Sequence, residues 1–154
     1  MSTESPPTVV DEMVCFSLYA AARATTQAYR ALLAPWDLTY PQYLVLVDLW
    51  TQDRRTVSEL GRCLGLDSGT LSPLLRRMEQ AGLLVRVRED ADERVVVVRL
   101  TERGVALRDE LGDVPRRVYE GMGLDVDEAR RLRDAVHGLT DGMRAVTASV
   151  RHAG

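Results

Sequence analysis

The sequence contains no lysine; all twenty of its basic residues are arginine. Arginine suits bidentate phosphate and guanine contacts better than lysine does. An absence this complete nonetheless reflects genomic base composition rather than function, since function rarely touches every surface position. An excess of positive charge is missing too. Basic residues number 20 against 23 acidic ones, for a net charge of −3. Overall basicity therefore supports no nucleic-acid partner, and any such case must rest on where the charges sit. Cysteine is scarce. Cys15 and Cys63 stand far apart, no CxxC occurs, and neither His137 nor His152 clusters with a thiol. That excludes a zinc site of ordinary spacing, and no metal or cofactor is expected. Long hydrophobic runs are lacking: no stretch approaches the ~18 apolar residues of a membrane span. The opening M-S-T-E-S-P-P carries neither a positive leader nor an apolar run, so no secretion signal is expected. The expected compartment is the reducing cytoplasm, where two free thiols stay reduced unless chemistry intervenes.

What is present reads as a folded chain. An apolar share of 45% is enough for a real core and too high for a disordered tail. A length of 154 residues fits one compact domain, with any extensions committed to a partner. From Thr8 to about Ala34, a broad apolar stripe including Val10, Val14, Leu18, Ala21 and Leu33 predicts a helix that Pro35 ends. Tyr40-Pro41 reopens a helix with proline in its first turn. T-V-S-E at 56–59 has the form of a capping box and starts a short helix that Gly65 stops. Asp67 then caps a second helix, which Gly82 terminates. After it the apolar period changes to two: 83–88 and 94–100 flank the polar tip E-D-A-D-E, predicting a β-hairpin. Thr101 caps a further helix expected to reach about Tyr119, bent near Pro115. Gly121 and Gly123 break the chain, and D-V-D-E at 125–128 opens a last helix to about Val150. Its seam of Val126, Ala129, Leu132, Val136, Leu139, Met143, Val146 and Val150 favours pairing with another helix.

Two short helices joined by a tight turn and followed by a hairpin make a winged helix-turn-helix, whose second helix enters the major groove. The residues it would present are Ser68, Thr70 and Ser72, small donor/acceptor side chains that allow close approach, with Arg76 and Arg77 reaching bases or phosphates. The stretch from Arg76 to Arg88 holds four arginines and one acid, so the basic footprint missing overall is concentrated here. At the hairpin tip, Asp92 precedes Arg94 by two residues. An arginine held by a neighbouring carboxylate suits a narrow, electronegative minor groove.

The segment D-S-G-T-L-S-P-L-L-R-R-M-E-Q-A-G-L-L, the D-E-R of the wing and the following L-T-E-R-G resemble the MarR family of regulators. The stretch C-F-S-L-Y-A-A-A-R-A-T-T-Q-A-Y-R, followed by L-T-Y-P-Q-Y-L-V-L, resembles one branch of it, the organic hydroperoxide resistance regulators. The likeness runs continuously from Cys15 to Gly104. It implies a peroxidatic role for Cys15, with Tyr29 and Tyr40 of the partner subunit hydrogen-bonding its sulfur. Physical reasoning points the same way. Cys15 lies early in a helix, where unpaired N–H groups favour negative charge on sulfur, and phenolic donors hold such a charge. Met13, Phe16 and Tyr19 would form an apolar pocket favouring alkyl hydroperoxides. Without the resemblance, a lone helical cysteine is more often a small buried hydrophobe. Cys63, without an activating neighbour in sequence, reads as packing. Regulators of this branch that resolve the oxidised thiol internally carry a partner cysteine in the C-terminal helices. This chain has none there, so it resembles the one-cysteine type, which uses an external small thiol or further oxidation.

The expected fold is mainly α with a small β-hairpin wing. A single domain spans 1–154, with a DNA-binding lobe over about 56–101 and dimerisation helices at about 8–34 and 126–150. The expected function is non-enzymatic: a homodimeric repressor on a pseudo-palindromic double-stranded operator, released when an organic hydroperoxide oxidises Cys15. Two rivals stay open. A repressor released by a small phenolic ligand would still respond as Cys15→Ser, and a thiol peroxidase would turn over.

Overall fold

The computed structural model describes residues 9–10, 12–89 and 92–152, with backbone only at 89, 92–94 and 152. Among the described residues there are seven α-helices and one three-stranded antiparallel sheet, the mainly helical winged-helix class expected. Met1–Val114 and Pro115–Gly154 form two compact units.

In the first unit, α1 (Val14–Leu33) passes into a 3-10 turn at Ala34–Trp36, where Pro35 withholds the N–H that a continuing helix needs. The expected start at Thr8 lies outside the described residues; the helix itself opens six residues later, with Met13 as N-cap. Helix α2 (Tyr40–Thr51) starts on a reciprocal capping box between Thr39 and Gln42, with Pro41 in its first turn. It supplies the centre of the core through Tyr43, Val45, Leu46 and Leu49.

The segment expected to form the DNA-binding lobe follows the expected order, with one addition. A two-residue strand β1 (Arg55–Thr56) precedes α3 (Val57–Leu64) and pairs with β3. Two residues are too short for any periodic signal, so the sequence offers no sign of it. The Thr56 hydroxyl accepts from the Glu59 N–H at 3.2 Å, and the Glu59 carboxylate accepts from the Thr56 N–H at 2.7 Å. Removing such a cap typically costs about 0.5–2 kcal/mol. Gly65 closes α3 at φ 65°, a left-handed conformation that suits glycine. Helix α4 (Ser68–Gln80) buries Leu71, Leu74, Leu75 and Met78, a stripe at helical spacing that fixes which face is left outward.

The wing is β2 (Leu84–Glu89) and β3 (Asp92–Leu100), with β3 central in the order β1-β3-β2. Its strands run further than expected. Glu89, Asp92 and Glu93 belong to β2 and β3 rather than to a five-residue tip, Arg94 lies in β3 as expected, and Asp90 and Ala91 lie outside the described residues. The register shifts between Arg88 and Glu89, as a bulge at a wing tip would.

Beyond the wing, the single bent helix expected from Thr101 to Tyr119 is instead two. Helix α5 (Glu102–Glu110) ends in a turn through Leu111, and α6 (Val114–Met122) begins with Pro115 in its first turn. Proline starts this helix rather than bending one. Gly121 does not break the chain but lies inside α6; Gly123, at φ 64°, follows its end. In the second unit, α7 (Val126–His152) opens on a reciprocal cap between Asp125 and Glu128.

Candidate functional site

Helix α4 is held by Asp67, whose carboxylate accepts from the Thr70 N–H at 2.9 Å and from the Thr70 hydroxyl at 3.2 Å. Those bonds keep the Asp67 carboxyl below its usual range. They also commit the Thr70 hydroxyl locally, although the side chain is exposed. Ser68, Ser72 and Arg76, four residues apart, stack along the outward face, and Arg77 is exposed beside them. The arginines after them are not equivalent. Arg86 is taken by Glu79: its backbone N–H and guanidinium both reach that carboxylate, at 2.9 Å and 2.8 Å. Arg86 therefore ties the end of α4 to β2 instead of adding to a free basic face. Asp92 and Arg94 have their backbone in β3, and their expected side-chain pairing lies outside the described residues.

Tyr29 on α1 and Tyr40 on α2 are brought together, their rings stacked with centroids 4.0 Å apart. Tyr43 tilts against Tyr29 at 5.6 Å. Burial, reinforced by Tyr40 and Tyr43, pushes the Tyr29 hydroxyl up to about 12; burial raises Tyr40 and Tyr43 as well. All three remain neutral hydroxyl donors at physiological pH. A spectrophotometric titration should show these phenolates forming above the range of free tyrosine. The sign for stability follows: between about 10 and 12 the folded Tyr29 retains a proton that the unfolded chain has released, so stability falls as pH rises through that window. Ordinary tyrosine titration in Tyr40→Phe and Tyr43→Phe alike would contradict the clustered burial.

Cys15 is the second residue of α1, exposed, and among the described residues its sulfur has no hydrogen-bond partner. The structure does not bring it to its own Tyr29. They stand fourteen positions apart on one helix, roughly 21 Å along the axis, and Tyr40 is stacked at the far end. Met13, Phe16 and Tyr19 are exposed on and before the same helix, so a single chain leaves them as an open apolar face, with Arg23 over the Tyr19 ring.

Cys63 is not packed in the core as expected. It is exposed and donates to Asp48 Oδ1 at 3.1 Å. The hydrogen bond to Asp48, helped by burial, pushes its thiol up, which disfavours the nucleophilic thiolate. Asp48 is in turn gripped by Arg55 at 3.0 Å and 3.2 Å, an arrangement linking α2, β1 and α3.

Sequence reasoning missed one joint altogether. The Trp50 indole on α2 donates to the Gly104 carbonyl at 2.8 Å. Gly104 in turn packs on Leu83, where an added Cβ would lie 2.1 Å from the Leu83 carbonyl oxygen. The Thr101 hydroxyl donates to the Gly82 carbonyl at 2.6 Å, and the Thr101 N–H to Leu83. Partners 54 residues apart leave no local signal.

The comparisons with known proteins agree with this architecture. The family described as transcriptional regulator SarA/Rot matches residues 27–111. The chain belongs to the SarA/Rot-type winged-helix transcription regulators. Among its relatives, the HTH-type transcriptional regulator TtmR of Methylorubrum extorquens is 45% identical over 139 residues, covering 90% of this chain and 71% of that protein. The organic hydroperoxide resistance transcriptional regulator of Bacillus subtilis is 40% identical over 132 residues, covering 86% and 90%. Reduced AbfR bound to DNA, the AbfR of Staphylococcus epidermidis, superposes with a TM-score of 0.75 at 30% identity, over 86% and 91% of the two chains. This SarA/Rot-type regulator thus bears out the resemblance read from its own motifs, including that to the organic hydroperoxide resistance branch. Among its described residues, no helix is long and apolar enough to cross a membrane.

Proposed function

We propose that this regulator is a homodimeric cytoplasmic repressor that holds double-stranded operator DNA through α4 and the wing and releases it when an organic hydroperoxide oxidises Cys15. The observation that carries the reading is the pairing of an exposed, unpartnered thiol in the first turn of α1 with a stacked, neutral Tyr29–Tyr40 pair too distant to serve it within one chain. A two-fold dimer in which α1 of each copy offers Cys15 to the other's tyrosines resolves that separation. Met13, Phe16 and Tyr19 then gain the cover that would make a pocket for an alkyl group. The relative named for organic hydroperoxide resistance and the solved reduced and overoxidised forms of AbfR bound to DNA support the same reading.

The chemistry is stoichiometric sensing. The Cys15 thiolate attacks the distal oxygen of the hydroperoxide, and the S–O bond forms as the O–O bond breaks. Sulfur loses two electrons to become sulfenic acid, and the departing alkoxide takes a proton to leave as the alcohol. A small thiol then attacks that sulfur, forming a mixed disulfide and releasing water. Sulfenic acid removes the charge that the tyrosines hold, and the adduct adds bulk where they sit. On the DNA side, Ser68, Ser72 and Arg76 face base edges, Arg77 lies beside them, and Arg94, oriented by Asp92, enters the minor groove.

The test uses a duplex selected by the reduced wild type from a random-sequence library, titrated with and without cumene hydroperoxide and free cysteine. Wild-type affinity should fall by about 10²–10⁴-fold, the scale of a full two-state shift. Cys15→Ser should bind and ignore the peroxide, and Cys63→Ser should respond like wild type. Release of Cys15→Ser by the peroxide would sink the sensing assignment and leave a DNA-binding regulator of another signal.

A further inference from the structure

We propose that Trp50 is the positioning residue through which the Tyr29–Tyr40 pair controls the DNA-binding lobe; the inference rests on the peroxide-sensing reading above. A continuous aromatic chain leads away from the pair. Tyr40 stacks on Tyr29, Tyr29 tilts on Tyr43, and the Tyr43 ring meets Trp50 edge-on with centroids 6.1 Å apart. Tyr43 is 4% exposed, so it cannot swing aside when Tyr29 moves without displacing its neighbours.

The chain ends on a joint rather than in solvent. The Trp50 N–H holds the Gly104 carbonyl at the start of α5. Gly104 bears directly on the backbone of Leu83, the last residue before β2, with no room for even a methyl group. Thr101 clasps the same segment through the Gly82 and Leu83 carbonyls. Trp50 is therefore fastened to the point where the recognition helix ends and the wing begins. A shift of the tyrosine pair thus reaches α4 and the wing through one hydrogen bond and one close packing contact. This continuity names the bond whose loss should uncouple the two ends.

Trp50→Phe keeps an aromatic ring on the Tyr43 side and removes the N–H donor together with the second ring of the indole. The reduced variant should hold the selected duplex within about fivefold of wild type, the scale of one net hydrogen bond. Cumene hydroperoxide should consume its Cys15 thiol at the wild-type rate. The loss of DNA affinity on oxidation should shrink by about tenfold or more, within the usual range of coupling between sites. Equal release of wild type and Trp50→Phe would overturn the coupling alone. A wild type that keeps its DNA once Cys15 is oxidised would overturn the sensing reading and the coupling with it. A second measurement does not depend on the variant's folding. In Trp36→Phe, Trp50 is the only tryptophan left. Its emission should change on oxidation and stay constant in Trp36→Phe with Cys15→Ser; an emission that ignores Cys15 oxidation would overturn the proposal.

Discussion

Replacing Leu132 and Leu139 together by glutamate should leave a folded monomer that has lost nearly all operator affinity. The expectation starts from α7, whose seam recurs every three or four residues from Val126 to Val150. Within the chain, Leu132 is 52% exposed, Met143 52% and Val146 54%. A sustained apolar seam left this open is the surface that the proposed dimer would cover, and burying a carboxylate in it without a partner is strongly unfavourable. A two-fold operator needs two recognition helices about 34 Å apart. Once tethered, the second one binds at millimolar effective concentration, so its loss costs about 10²–10⁴-fold in affinity. Sedimentation should give the monomer mass at micromolar concentration, while thermal melting of the Met1–Val114 unit persists. A double variant that sediments as a dimer would place the interface elsewhere.

What could be read from the sequence was what is local. The capping box at Thr56 and Glu59, the Asp67 cap and the Asp125–Glu128 start each lie within one turn, where side-chain chemistry alone names the partner. The wing was legible because its period changes to two. What escaped has a physical reason in each case. Strand β1 is two residues long and exists only because Val97 and Val98 of β3 offer it a partner. The break between α5 and α6 escaped because Pro115 serves equally well to bend a helix or to start one. The basic footprint looked like four equivalent arginines until Glu79 was found holding Arg86. The residues proposed to sense peroxide are a different case. Tyr29 and Tyr40 carry no local signature, and only the resemblance singled them out; Cys15 had in addition its place at the start of a helix. The structure adds that Tyr29 and Tyr40 are one unit and that Cys15 is separate from it. The Trp50–Gly104 joint had no signal of either kind.

Gly104→Ala should be among the most destabilising single substitutions in the chain, although it adds one methyl group to a helix. Glycine to alanine in a helix ordinarily stabilises by about 0.5–1 kcal/mol, because alanine has less backbone freedom to lose. Gly121 in α6 meets that condition: nothing lies within 4 Å of where its Cβ would stand, and Gly121→Ala should raise stability slightly. At Gly104 the sign reverses. The new Cβ would sit 2.1 Å from the Leu83 carbonyl oxygen and 3.1 Å from a Leu100 methyl. The oxygen belongs to backbone that already accepts the Thr101 N–H at 3.1 Å, so neither side can rotate away. Relief requires α5 to lift from Leu83, stretching both that bond and the Trp50 contact to Gly104. Overpacking of this kind costs about 3 kcal/mol or more, which for a chain of this size lowers Tm by roughly 6–12 °C. Calorimetry on the two alanine variants beside wild type decides the matter, because one substitution should move Tm down and the other up. If Gly104→Ala melts at or above wild type, α5 does not bear on Leu83, and the joint between helix and wing is looser than its geometry implies.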